Sequence, residues 1–308
     1  MALSVSLTRM QNLRAVVLLA GAVRTRQLHK AIGRSLLDLP VDHGRSVLDE
    51  WTQQLTDVSR VHGLSRLPVR VMLDRGSLLP RTMQVADEIE LQIEQDPFDL
   101  RGTGGLLSDL TRDYDDADWI LIASASQILI DPVCEVIEDL AAAEAEVSVA
   151  CLHDGTPSDL VLLRCGSLRE IKRMGFVDFK EQALPEIARN HLVRVVRREG
   201  HPGMPIRTRD EYLDALRTYH RARNKDTSQP LLEGWMRIFE VVEAGSQVDE
   251  SAMIHDSVVL SGGEVQAGAV VVRSIVCDDA VVPAGVPVVD RIIQPDDSIV
   301  RKSGFDSL

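Results

Sequence analysis

Residues 14–20 read Arg-Ala-Val-Val-Leu-Leu-Ala, an almost unbroken apolar run closed by Gly21. A strand buried on both faces has no polar side to alternate with, so the run predicts a first strand inside a parallel sheet. Residues 47–58 then place Val47, Leu48, Trp51, Leu55 and Val58 at close to a 3.6-residue period, which predicts a helix, and 69–73 is a short apolar run again. The same order returns further on. Trp119-Ile120-Leu121-Ile122 predicts a strand, 133–143 a helix and 147–152 another strand. Strands alternating with helices predict an open α/β sheet.

The pattern changes near Asn224, where Asn-Lys-Asp-Thr-Ser-Gln-Pro forms a polar stretch ending in Pro230. Beyond it Val242, Val248, Ile254 and Leu260 stand six apart, and after short slips Val265, Val271, Val276, Val282 and Val288 keep the step. Small residues fill the gaps, as at Gly262-Gly263 and Ala267-Gly268-Ala269. A six-residue aliphatic period of this kind predicts a parallel β-helix of roughly three coils at about 18 residues per coil, the alternative being an ordinary run of short strands in a sandwich. The expected division is an α/β domain over 1–225, a linker over 226–233, the repeat over 234–300 and a tail over 301–308. Trp235 and Phe239 are expected to cover the open end of the first coil.

Composition narrows the partners. With 44% hydrophobic and 26% charged residues the chain can bury a core, and its net charge of -13 argues against broad contact with nucleic acid. No apolar run reaches the roughly 20 residues that span a bilayer, so a cytoplasmic protein with no membrane partner is expected. Cys134, Cys151, Cys165 and Cys277 are scattered in apolar runs without a C-x-x-C pair or a histidine at ligand spacing, and read as core residues rather than a zinc site.

Several strings resemble the sugar-phosphate nucleotidylyltransferases, in the branch similar to mannose-1-phosphate guanylyltransferases. Leu19-Ala20-Gly21-Ala22-Val23-Arg24-Thr25-Arg26 stands where that family carries Leu-Ala-Gly-Gly-x-Gly-Thr-Arg. Leu39-Pro40-Val41 and Ser46-Val47-Leu48-Asp49 resemble the approach to its second helix. Arg101-Gly102-Thr103-Gly104-Gly105-Leu106 is similar to its Gly-Thr-Ala-Gly segment. Residues 178–185, with Asp178, Lys180 and Glu181, and Thr208 through Tyr212 resemble its late acidic and Thr-x-x-x-Tyr segments. The resemblance implies a Rossmann-like nucleotidyltransferase domain with a mostly parallel sheet, followed by a short left-handed parallel β-helix. It also implies a nucleotide or nucleotide sugar held by Gly21, Arg24, Thr25, Arg26, Gly102, Thr103 and Ser126.

The family's reaction needs carboxylates that hold divalent metal against phosphate. Here Asn-Gly-Asp is replaced by Ala123-Ser124-Ala125-Ser126-Gln127, the second metal carboxylate by Pro205, and the phosphate lysine by Leu36, with Lys30 or Arg34 nearby. No metal ligand or cofactor is therefore expected, and no catalytic residue is assigned. Three readings follow. The first is a degenerate homologue acting as a ligand sensor, regulatory subunit or scaffold, as a homo-oligomer or with an active relative through the β-helix. The second is an active enzyme using Mg2+ with Arg24, Arg26 and Asp154 or Asp159. The third is an assembly module. A structural reading also competes at two places: Gly102 to Gly105 as a turn into a helix, and Asp178 with Lys180 as an ion pair on one face of a strand.

Overall fold

The unbroken apolar run becomes strand β1 (Leu13–Leu19), in which Val16 and Leu18 are fully buried and Val17 is 1% exposed. The computed structural model describes residues 9–20, 26–81, 85–96, 101–172, 175–223 and 238–297. The expected linker, Trp235 and the tail lie outside the described residues. The strands that join β1 in one sheet are β2 (Leu67–Leu73), β3 (Ile89–Gln95), β4 (Trp119–Ser124), β5 (Val147–Leu152), β6 (Pro157–Arg164) and β7 (Val193–Arg198). The helices are α1 (Arg26–Ile32), α2 (Val47–His62), α3 (Gly102–Leu110), α4 (Val133–Ala142), α5 (Leu184–Asn190) and α6 (Arg209–Arg223). None is long and apolar enough to cross a membrane, among the described residues.

The chain divides into two compact units, Met1–Arg24 with Leu48–Met204, and Thr25–Val47 with Pro205–Leu308. In the first unit the sheet runs β7-β5-β6-β4-β1-β2-β3. All neighbours are parallel except β6, which is antiparallel to both β4 and β5. The mixed α/β class and mostly parallel sheet are as the apolar pattern expects. Strand β6 and the two edges were not foreseen, for different reasons. Strand β6 follows β5 through a short turn rather than a helix, and β3 and β7 alternate charge because an edge strand has solvent to face. In β7 Arg194 and Arg197 are exposed, and in β3 Glu94 pairs with Arg70 of β2 at 2.9 Å. Strand order reverses at β1: the chain steps outward through β2 to β3, then returns to pair β4 on the other flank, with Leu19 opposite Ser124.

Among its described residues the second unit contains three short parallel sheets. One holds Glu240–Val242, Ser257–Val259, Ile275–Val276 and Ile292–Ile293; the second Gln247–Val248, Glu264–Val265 and Val281–Val282; the third Met253–His255, Val270–Val272 and Pro287–Val289. Val241 faces Val258 and Val258 faces Ile275; Val248 faces Val265 and Val265 faces Val282. Each strand thus meets the one 17 residues on, the separation also spanned by the bond from Ser274 N–H to Ser257 Oγ at 3.0 Å. The step is 17 rather than about 18 because the slips in the six-residue register belong to the period.

The corners carry the same period. Asp256, Arg273 and Asp290 have φ of 47°, 43° and 56°, and Gly245, Gly262 and Asp279 have 88°, 76° and 59°. A left-handed residue turns the chain sharply at a cost of roughly 1–2 kcal/mol for a side chain, which glycine avoids and aspartate reduces. Buried Asp256 offsets that cost by accepting from Ile238 N–H at 2.9 Å, Phe239 N–H at 3.2 Å and Arg217 at 3.1 Å. Phe239 itself is buried and stacks on His220 of α6 at 5.6 Å.

The 25–47 segment is bound into this unit by charge and by hydrogen bonds. Arg34, 5% exposed, donates to Glu243 Oε2 from both terminal nitrogens at 2.8 and 2.9 Å and lies 3.3 Å from Asp278. The expectation that Arg34 reaches toward phosphate is corrected: its guanidinium is already committed to two carboxylates. Leu36 is buried. Replacing one partner of a buried ion cluster leaves the others uncompensated, so Arg34→Met should lower unfolding free energy by about 3 kcal/mol in urea denaturation. A loss under about 1 kcal/mol would show that the cluster is not structural.

Candidate functional site

In open α/β sheets ligands bind outside the carboxyl ends of the strands where strand order reverses, and here that place is the end of β1 beside the end of β4. Ala125 N–H donates to Leu19 O at 2.9 Å, and Ala20 N–H donates to Met72 O of β2 at 2.8 Å, so the end of β1 is tied to the chain on both its flanks. The Trp51 indole of α2 donates to Ala125 O at 3.2 Å, and the Gln127 amide donates to Ser124 O at 2.9 Å. Ser126 is 8% exposed in this turn. Of the other expected phosphate residues, Gly21, Arg24 and Thr25 lie outside the described residues, and Arg26 is the first residue of α1.

Asp159 stands one position before Leu160, which pairs with Ala123, and so lies at the same edge, next along from Ser124. It has φ of 60°, a left-handed conformation for a non-glycine residue. Its carboxylate pairs with Lys180. The strand expected through Val177 to Lys180 is corrected: Phe179–Ala183 is a π-helical turn, and Asp178 caps it by accepting from Lys180 N–H and Glu181 N–H at 2.9 Å each. The ion pair expected between Asp178 and Lys180 is corrected with it, since a cap uses the Asp178 carboxylate on backbone and leaves Lys180 to Asp159. The Glu181 side chain is exposed.

Gly102 and Thr103 open α3 and interlock with that turn. Gly102 has φ of 68°, and a Cβ there would sit 2.5 Å from Val177 O. Gly104 N–H donates to Val177 O, and Val177 N–H to Arg101 O, at 2.9 Å each. Thr103 Oγ1 accepts from Phe179 N–H at 2.9 Å and donates to Asp178 Oδ2 at 3.3 Å. The structure therefore joins Thr103, Asp178, Lys180 and Glu181 through one continuous set of bonds ending at Asp159, with Gly102 packed against the same turn.

Thr208 is elsewhere, in the second unit. Its Oγ1 accepts from Glu211 N–H at 3.2 Å, while Glu211 accepts from Arg207 N–H and Thr208 N–H at 2.8 and 3.1 Å, a capping box at the start of α6. Tyr212, fully buried, donates to Pro40 O at 2.5 Å, and burial pushes its phenol well above the usual range. Thr-x-x-x-Tyr is thus a cap and a buried tie.

Two features had no sequence signal. A cavity of about 550 Å³ lies at the amino-terminal ends of β1 and β2, lined by Asn12, Arg14, His62, Ser65, Arg66 and Tyr114 among others. Cys134, expected in the core, is half-buried on α4 beside His62 and Glu138, whereas Cys151, Cys165 and Cys277 are buried. Burial pushes the Cys134 thiol up to about 11, with Glu138, Glu135 and Asp57 adding to the shift.

No protein-family model matches this chain, and no curated protein does. Among solved structures it is similar to HddC from Yersinia pseudotuberculosis, at 14% identity and TM-score 0.47, covering 67% of this chain and 100% of that one. The structure of that protein complexed with GMP-PN gives 14% identity and TM-score 0.48 over the same shares. At these values the likeness assigns no residue of this chain a role.

The interlock makes a direct prediction. Gly102→Ala should destabilise the protein by roughly 2–4 kcal/mol, combining left-handed strain with a clash against Val177 O. Thr103→Val, which removes the hydroxyl at nearly constant volume, should cost about 1–3 kcal/mol. Denaturant unfolding of the two variants checks both; losses within 0.5 kcal/mol, about the size of a neutral surface change, would refute the interlock.

Proposed function

We propose that this chain is a sugar-phosphate nucleotidylyltransferase homologue with a nucleotidyltransferase fold, that it has lost catalysis, and that it binds a nucleotide or nucleotide sugar at the carboxyl edge of its sheet. It acts as a ligand-sensing, regulatory or scaffold subunit. The observation that carries the reading is the reversal of strand order at β1 and β4, which sets Leu19 opposite Ser124 where such sheets take ligands. The motif order in the sequence supports the family, and the turn Ala123 to Gln127 supports the loss of catalysis, because it offers a divalent metal no carboxylate. A metal clamp is worth several kcal/mol in the transition state, at a factor of ten in rate for each 1.4 kcal/mol. Arg24 and Arg26, in the segment that follows β1, supply charge for a phosphate without metal.

The strained backbone of Asp159 at the same edge favours one alternative, an active enzyme in which this carboxylate holds Mg2+. Calorimetry separates the two. The first reading expects weak, magnesium-independent and salt-sensitive binding of a nucleotide or nucleotide sugar, with Arg24→Ala and Arg26→Ala each costing roughly 1–3 kcal/mol. Absence of binding at millimolar nucleotide would overturn it. Pyrophosphate release from a nucleoside triphosphate and a sugar-1-phosphate that needs magnesium and disappears in Asp159→Asn would select the active enzyme.

The three parallel sheets of the second unit are read as the three faces of a hexapeptide-type β-helix that mediates assembly. Support comes from the outward face of one of them, where Met253 is 61% and Val289 46% exposed beside Pro287. Aliphatic faces of this kind stay soluble when paired. Light scattering of the full chain should give a dimer or larger species, and Met253→Asp with Val289→Asp should shift it to monomer. A monomeric parent at tens of micromolar would exclude the assembly role.

A further inference from the structure

We propose that His62, Cys134 and Glu138 form a binding site for a zinc-class divalent cation, with His62 Nε2, the Cys134 thiolate and one Glu138 carboxylate oxygen as ligands and the fourth position left to solvent. The trio comes from two helices. His62 is the last residue of α2, and Cys134 and Glu138 lie one turn apart on α4, a spacing that stacks two side chains on one helical face. All three side chains belong to the first unit. Their donor atoms lie within 4.8 Å of one another.

The separations within the trio identify the chemistry. Cys134 Sγ lies 3.5 Å from His62 Nε2 and 3.7 Å from Glu138 Oε1, and His62 Nε2 lies 3.6 Å from Glu138 Oε1. A tetrahedral zinc with Zn–S of about 2.3 Å and Zn–N or Zn–O of about 2.0–2.1 Å puts its ligand atoms about 3.3–3.6 Å apart. The observed triangle therefore needs shifts of only a few tenths of an ångström to close on an ion. Hydrogen bonds of the Cys134 sulfur account for two sides of the triangle but not the third: the imidazole and the carboxylate are beyond the 2.7–3.2 Å of an N–H to O bond.

Ligand type selects the metal. One thiolate, one imidazole and one carboxylate suit a borderline-soft ion, whereas Mg2+ and Ca2+ take oxygen sets. Two anionic ligands would neutralise the ion, and the nearby carboxylates of Glu135 and Asp57 make the surroundings favourable to a cation. His62 is 7% and Glu138 48% exposed, so the imidazole is held by its packing while the carboxylate stays open to solvent. Three protein ligands and an open position are the arrangement of zinc sites that keep a water or take an exogenous ligand. The site stands independently of the proposed nucleotide reading, since it shares no residue with the carboxyl edge.

Cobalt(II) gives the test a spectroscopic readout. The full chain, stripped of metal by chelation and dialysis, is titrated with Co2+ and then with Zn2+. The expected result is one Co2+ per chain, with thiolate-to-cobalt charge transfer and the visible bands of tetrahedral cobalt, displaced by one equivalent of Zn2+ and untouched by excess Mg2+. Cys134→Ser should abolish the charge-transfer band. Glu138→Gln, at an exposed position where folding is retained, and His62→Gln should each weaken Zn2+ binding by more than about tenfold, the lower bound for loss of even an outer-shell partner. A parent protein without the charge-transfer band, a band that persists in Cys134→Ser, or Zn2+ affinity unchanged in Glu138→Gln and His62→Gln would each overturn the proposal.

Discussion

Strand β1 is hydrogen-bonded along both flanks and packed on both faces, and that double commitment organises the first unit. A strand with no free side cannot carry polar residues inside the sheet, which is why residues 15–18 are Ala-Val-Val-Leu. It also cannot accept a third neighbour, so the chain that built outward through β2 and β3 had to return to the opposite flank as β4. Two strand ends then diverge into different connections at one point. Leu19 and Ser124 are paired at that point, and the place just beyond such paired ends is where open α/β sheets take ligands, a by-product of topology rather than of any chemistry.

Much of this was legible because burial on two faces writes itself into consecutive residues. Strands β1, β4 and β5 and helices α2 and α4 all lie close to the positions that their apolar spacing marks. The edges were illegible for the complementary reason. In β3 Glu90 and Glu94 share the strand with Ile89 and Ile93, and in β7 three arginines share it with three valines, so neither reads as a core strand. In the second unit the aliphatic step was visible but its true period was not. Aspartate, arginine and glycine alternate at the corners, and what they share is a backbone angle rather than a side-chain type.

The site was legible in composition and less so in geometry. Thr208-x-x-Glu211 is a capping signature in the sequence, although the resemblance draws attention to Thr208 as part of a Thr-x-x-x-Tyr segment instead. Gly102 signals a close backbone approach, but the partner, Val177, is 75 residues away, like the Thr103 and Asp178 pair. His62 and Cys134 are 72 apart, so no spacing rule connects them, and only the Cys134 and Glu138 turn is local.

The seventeen-residue offset between paired strands restricts how the second unit can change length. Removing six residues, one strand with its turn, would move every later strand away from the partner it meets seventeen residues on. Removing or adding seventeen would bring each strand opposite an equivalent one, with the left-handed corners and the Ser257 and Ser274 ladder still in line. Variation in this region is therefore quantised: segments of seventeen residues can be gained or lost while each strand of the parallel sheets keeps an equivalent partner.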